Sequence, residues 1–263
     1  MKNVKSKEEF IMSQEILIPQ TRMIKARLFE AFQANGLEAA LEACIEAKHT
    51  PLYMPEVVDE RIAAAEDSPL FQNWLTTPSV RVTGKSKGGN KVVVYGHVPN
   101  YFSNPSNIRK AREAGLRNGA GIMPEPEFYT LLDREDGKIV FVVDYDRLRK
   151  SNSDVISVDD ALQHPQTIPF LGGKERAEQY LVKHKAVYSK NIGIWHSDDL
   201  DEKPLGRLLF LGYYGNYGLY GGSVLYYFGR FLGVGAAEPR EDGLVREAHA
   251  CGRESPYRFG CGC

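Results

Sequence analysis

The chain has 263 residues, 43% hydrophobic and 25% charged, with 33 Lys and Arg against 34 Asp and Glu for a formal net charge of -1. This fits a soluble globular protein of one large domain, or one with a smaller attachment. It removes the global electrostatic case for nucleic acid or an anionic membrane. No run of about 18 apolar residues is present to span a bilayer. The N-terminal stretch lacks the continuous apolar core of a signal peptide, so a soluble, cytoplasmic protein is expected. Cys44 stands alone, while Cys251, Cys261 and Cys263 crowd the last residues. A disulfide framework would spread its cysteines, so reduced thiols are the simpler reading.

Residues 1–15 are polar and expected to be loose. From about residue 20, Met23, Ile24, Leu28 and Phe32 fall near one helical face, and Gly36 after Asn35 reads as its C-terminal cap with positive φ. Leu37, Leu41, Cys44 and Ile45 stripe a second helix. Pro55 opens a third, and Ser68-Pro69 starts a short turn holding Phe71, Trp74 and Leu75. Residues 1–77 are therefore expected to be a small helical unit. Its spacing is that of a helix-turn-helix as well as of a packing hairpin. Arg22, Lys25 and Arg27 are balanced by Glu38, Glu42 and Glu46, which would repel phosphate.

At Pro78 the texture changes. "SVRVTG" and "KVVVYGHV" are strand-like and joined by the turn "KSKGGN". Helices follow from about Ser103 to Gly115 and after Pro124. Then come the strand "KIVFVVDYD", a short capped helix "SVDDALQ", the longer helix "GGKERAEQYLVKHKAVY", and strands "NIGIWHS" and "RLLFLGYY". Such alternation argues for an α/β (or α+β) domain over 78–235, a mixed sheet with flanking helices and some parallel strands. Residues 212–235 are rich in Gly and Tyr. They make a conceivable stacking surface from Tyr213, Tyr214, Tyr217 and Tyr220, with only Arg207 and Arg230 nearby for phosphate. The simpler reading is that these tyrosines pack. Residues 236–263 differ in composition and are expected to be a poorly ordered tail. His249 with the three tail cysteines could form a zinc set, but Cys-x-Cys fits the usual knuckle spacing badly.

Motifs remove several classes. "GKS" at 84–86 lies in a hairpin turn and lacks the upstream glycine of a phosphate loop. No G-x-S-x-G elbow exists, because the stretch Gly84-Lys85-Ser86-Lys87-Gly88 lies in that same hairpin turn and not between a strand and a helix. No G-x-G-x-x-G, H-E-x-x-H or C-x-x-C occurs, so the commonest hydrolase, dinucleotide and zinc-protease patterns are missing. Gly172, Gly173 and Lys174 open a helix, where free N–H groups could meet an anion. Arg109, Lys110, Arg112 and Arg117 could add phosphate contacts, although a charge run is usually a solvated face. His49, His164 and His184 have no carboxylates at ligand spacing and read as structural.

Three strand ends carry proton-active residues: His97, then Asp144 and Asp146, then His196, Asp198 and Asp199. Residues two apart on a strand share a face. If the strands are parallel neighbours, these ends line one edge, where open α/β sheets bind ligands. Asp144, His196 and Asp198 could hold a divalent metal. His97, Asp144, Asp146 and His196 could divide acid and base roles. Against this, strands commonly end in Asp because Asp caps the next helix. The expected function is a metal-assisted or acid–base hydrolase acting on a phosphate-bearing small molecule or nucleotide. The competing class is a non-catalytic binding protein that grips a protein or nucleic-acid partner with its 212–235 surface.

Overall fold

The structure, a computed structural model, describes residues 11–16, 26–151, 153–213 and 218–235. The expected tail at 236–263 and its zinc set lie outside the described residues. So do Arg22, Met23, Ile24, Lys25, Tyr214 and Tyr217.

In chain order, the first strands are β1 (Ile11–Ile16) and β2 (Ala26–Ala31), followed by α1 (Gly36–Glu46), β3 (His49–Pro51), α2 (Met54–Ala63) and α3 (Pro69–Gln72). The long strand β4 (Leu75–Lys85) turns through Ser86–Asn90 into β5 (Lys91–Gly96), with Lys85 opposite Lys91. Then come α4 (Pro105–Glu113), β6 (Gly121–Ile122), α5 (Glu125–Leu132), β7 (Val140–Asp144) and α6 (Tyr145–Lys150). The remainder is β8 (Asp154–Ser157), α7 (Val158–Ala161), α8 (Thr167–Leu171), α9 (Lys174–Val187), β9 (Asn191–Trp195), β10 (Leu205–Leu211), β11 (Leu219–Tyr220) and β12 (Gly229–Gly235). Local chemistry sets several boundaries. Ser68 and Asn104 accept backbone N–H bonds just inside α3 and α4, each followed by Pro at the first helical position.

The fold is mixed α+β, built on one large mixed sheet of order β1-β2-β12-β4-β10-β11-β9-β8. β3 joins β12, β6 joins β10, and β5 joins β4 while carrying β7. Helices cover both faces. On β5, Val93 and Tyr95 face a core with Met54, Phe170 and Tyr180 from α2, α8 and α9. Val94 faces the other core, with Leu37, Ile108 and Phe128 from α1, α4 and α5. This alternation is the period-2 geometry of a strand between two apolar layers.

The expected N-terminal helical unit is not supported. Ala26–Ala31 is a strand, paired antiparallel with β12 from Ala26↔Val234 to Ala31↔Gly229. Residues 11–16, expected to be loose, form its other neighbour. Some strands are parallel, as expected, but β5 and β7 are antiparallel neighbours. Among the described pairs only β9–β11 and β4–β12 are parallel. The carboxyl ends of β5 and β7 therefore point in opposite directions.

Gly36 does not cap a preceding helix; it begins α1. A Cβ there would lie 2.3 Å from the Ala31 carbonyl oxygen and 3.2 Å from Phe228 Cα. Both obstacles are backbone and cannot rotate away. Gly36→Ala is expected to destabilise by about 1–3 kcal/mol, the usual cost of overpacking. Urea unfolding with an unchanged midpoint would show that α1 can move away from Ala31 and Phe228.

Candidate functional site

The strand-end residues do not assemble. Asp144 pairs with Val92, while His97 follows Gly96, five residues further along β5. At about 3.3 Å per residue the two are separated by roughly 16 Å. Asp144 is exposed, and its Oδ1 accepts the Arg147 N–H at 2.7 Å. It is the N-cap of α6, not a carboxylate buried on an apolar face. Asp146 is exposed on α6, so the two-residue strand rule does not apply to it.

His97 is buried, with Nε2 2.8 Å from the Pro169 carbonyl and Nδ1 3.0 Å from Ser79 Oγ. A carbonyl only accepts, so Nε2 carries the proton. Nδ1 then accepts from Ser79, whose oxygen takes the Met54 N–H. This network joins α2, β4 and α8. Burial pushes the His97 pKa down to about 4.

His196 and Asp198 do meet, at 3.3 Å, and His196 Nε2 lies 3.1 Å from the Ser151 carbonyl. Burial and then the Arg81 charge depress the imidazole. Tyr145 donates to the Asp198 carbonyl at 2.6 Å, but the Asp144 carboxylate beside it is turned to its own helix. Among the described residues no group of three or more His, Cys, Asp or Glu could hold a metal ion, so the Asp144–His196–Asp198 metal set is corrected.

The anion-binding residues are separately engaged. Gly172 ends α8 in the left-handed region and Gly173 precedes α9. They line an open hollow of about 510 Å³ with Lys174 and Arg176. Arg176 is held by Asp59 and the Gly172 carbonyl, and Lys174 lies 3.8 Å from Glu178. Arg109 is elsewhere. With Arg112 it clamps Glu38, which is buried, and it also reaches Glu42, tying α4 to α1.

The surface that stands out carries Phe32 at 46% exposure, Tyr226 at 48%, Tyr227 at 51% and Phe228 at 42%. Side chains of this size, clustered and half in water, leave an apolar surface that is uncommon on a soluble protein. Tyr226 stacks on Tyr227 with centroids 5.5 Å apart, and Phe228 lies 6.0 Å from Phe32. Beside them Trp74 stacks on Phe210 at 5.2 Å. The Arg230 guanidinium lies 4.7 Å over Trp74 and 5.6 Å over Phe32. Arg230 pairs with Glu30 and donates to Asn73, so this cation is held in place.

The segments around this face are fastened from beneath. Buried Arg61 donates to the Gly212 carbonyl and Arg81 to Ser197. Arg207 donates to Gly222 and Ser223, and Gln166 to Trp195 and Leu219. Arg207 also pairs with Asp199. Burial alone would raise the Asp199 carboxyl, but hydrogen bonds from Ser197, Asn118 and Arg207 hold it below the usual range. From α1, the Leu37 N–H donates to the Tyr227 carbonyl at 2.9 Å.

A solved Nanoarchaeota structure, described as accommodating massive sequence variation by the C-type lectin fold, is 48% identical to this chain. It superimposes with a TM-score of 0.73, over 88% of this chain and 100% of that one. The chain belongs to that C-type lectin fold family. No protein-family model and no curated protein matches it. Membership overturns the hydrolase and metal-binding readings. This C-type lectin fold chain points to a non-catalytic binding protein. No helix among the described residues is long and apolar enough to cross a membrane.

Two measurements check the reassigned residues. Asp144→Asn is expected to change unfolding free energy by less than about 0.5 kcal/mol, because Asn caps as well as Asp, and Asp144→Ala to cost about 1 kcal/mol. A large effect of Asp144→Asn would show that its charge matters. His97 and His184 are both held near a pKa of about 4 by burial, against about 6.5 in the unfolded chain. Between these values the unfolded chain takes up protons that the folded one refuses. Stability is therefore full above pH 6.5 and falls as pH drops toward 4. Melting curves across that window should show a shallower fall in His97→Gln, and an identical slope would refute the assignment.

Proposed function

We propose that the chain is a non-catalytic binding protein that grips a protein partner through the aromatic face of Phe32, Tyr226, Tyr227 and Phe228. One observation carries this reading: four large aromatic side chains stand about half exposed, three of them on a segment whose Gly222, Ser223 and Tyr227 carbonyls are held by Arg207 and the Leu37 N–H. Tyr and Trp are favoured anchors in protein interfaces because they bury much area with few rotors to freeze. The similar Nanoarchaeota structure supports it further, since its C-type lectin fold accommodates massive sequence variation. Side chains projecting from a backbone held by other residues can be exchanged without unmaking the fold. This is what a recognition surface needs.

A photo-reactive phenylalanine analogue at Tyr226 in the full chain would capture the partner, whose affinity is then measured. Tyr226→Ala and Phe228→Ala are each expected to weaken binding by about tenfold or more. Both should leave unfolding free energy within about 0.5 kcal/mol of the parent. Unchanged affinity in both would reject this face. A glycan bound in place of a protein, and lost in the same variants, would keep the face and change the class of partner.

A further inference from the structure

The binding face contains a hollow of about 320 Å³, lined by Trp74, Phe210, Tyr220, Tyr227 and Phe228 with Ser223 and Val224. Five of its walls are rings, and no lining residue is charged. We propose, resting on the binding-face reading above, that it receives one uncharged aromatic side chain, Trp or Tyr, from the partner protein.

The electrostatics select the occupant. Arg230 already lies 4.7 Å over Trp74, and Phe210 stacks on Trp74 at 5.2 Å. The Trp74 face that would attract a cation is already occupied by the Arg230 guanidinium, itself balanced by Glu30, so a second cation gains little there. A carboxylate would lose its water and find only the neutral hydroxyl-bearing residues Ser223, Tyr220 and Tyr227 among the walls, with no cation lining the hollow. An uncharged side chain meets neither obstacle. The walls differ in orientation: Phe210 meets Tyr220 edge to face at 73°, and Tyr227 meets Phe228 at 77°. Ring edges and faces are therefore both on offer, and a guest ring can adopt the offset or T-shaped contacts that aromatic pairs prefer. The volume is at the lower end of the ligand-pocket range, which suits one side chain better than a folded segment. The Ser223 hydroxyl offers a partner to an indole N–H or a phenol O–H, which Phe and Leu lack.

The chain has two tryptophans, Trp74 in the hollow and Trp195 at the end of β9. Full-length protein labelled with 5-fluorotryptophan therefore reports the hollow and an internal reference by fluorine NMR. The probe is N-acetyl-tryptophan amide, with the leucine and arginine amides as comparisons. The tryptophan amide is expected to shift the Trp74 signal at millimolar concentration and leave Trp195 still. Ser223→Phe, which fills the hollow, should weaken that response about tenfold. Should Ser223→Phe disturb the Trp195 signal, Tyr227→Leu, which changes a wall away from the Tyr220–Trp195 strand pair, replaces it, with the same loss expected. An arginine amide that binds more tightly, or a leucine amide that binds equally, overturns the proposal. So does a Trp74 signal that no amide moves. If Tyr226→Ala still weakens the captured partner in that last case, the binding face stands and the hollow alone is rejected. If Tyr226→Ala has no effect on the partner, the face itself is rejected whatever the amides do.

Discussion

The irregular segment that carries Tyr226, Tyr227 and Phe228 depends on donors aimed at loop carbonyls. Arg81 and Arg207 sit directly opposite each other on β4 and β10, and both are buried. Two like charges so placed repel, and desolvation adds to the cost. The arrangement persists because acceptors are supplied from the irregular chain above: Asp199 as a charge, and the carbonyls of Ser197, Gly222 and Ser223. The loop needs the donors to satisfy its backbone, and the donors need the loop to balance their charge. Gln166 adds a neutral bridge, accepting from Tyr95 while donating to Trp195 and Leu219.

The sheet places this assembly. β12 follows the aromatic residues and inserts between β2 and β4 in the centre of the sheet. Segments near the two ends of the described chain therefore meet in one antiparallel pair, and the long connection before β12 is closed at its base. Glycine permits the closeness. At Gly229 a Cβ would lie 2.6 Å from the Gly36 carbonyl oxygen, and at Gly233 2.5 Å from Cys44 Sγ. Burial pushes the Cys44 thiol up to about 12, so it serves as a small apolar contact there.

Much of the local structure was legible. The hairpin announced itself from Ser79 onward through alternation and the "KSKGGN" turn, although Leu75, the first residue of β4, had read as part of a helical turn. α4, α5, α7 and α9 announced themselves through caps and helical stripes. β2 was not legible because five of its six residues are buried, giving no period-2 contrast, and because Leu28 and Phe32 happen to fit a helical face. Strand direction was invisible because alternating strands and helices also suit an antiparallel sheet. The candidate hydrolytic edge failed for that reason. The aromatic face was legible only in part: the 212–235 stretch drew attention, but its tyrosines at 213, 214, 217 and 220 read more simply as packing, and Phe32, Trp74 and the stack around Arg230 come from distant sequence. A signal was present for the anchors. "SVRVTG" and "GRLLFLG" each place one arginine inside an apolar strand, and such a charge must have partners in the fold.

The same anchors bear on how the molecule opens. Arg61 reaches Gly212 across 151 residues of sequence, and Arg81 reaches Ser197 across 116. These bonds form only after distant parts of the chain have come together, so the displayed loop is ordered late in folding. Once formed, it cannot fray by itself, because peeling it away strands buried guanidinium groups without acceptors. Amides that look like surface loop, such as Gly221 bonded to Trp195 and Leu225 bonded to Gly119, should then exchange hydrogen at the pace of the core. A loop that shares the cooperativity of the sheet meets its partner already in shape and loses little conformational entropy on contact.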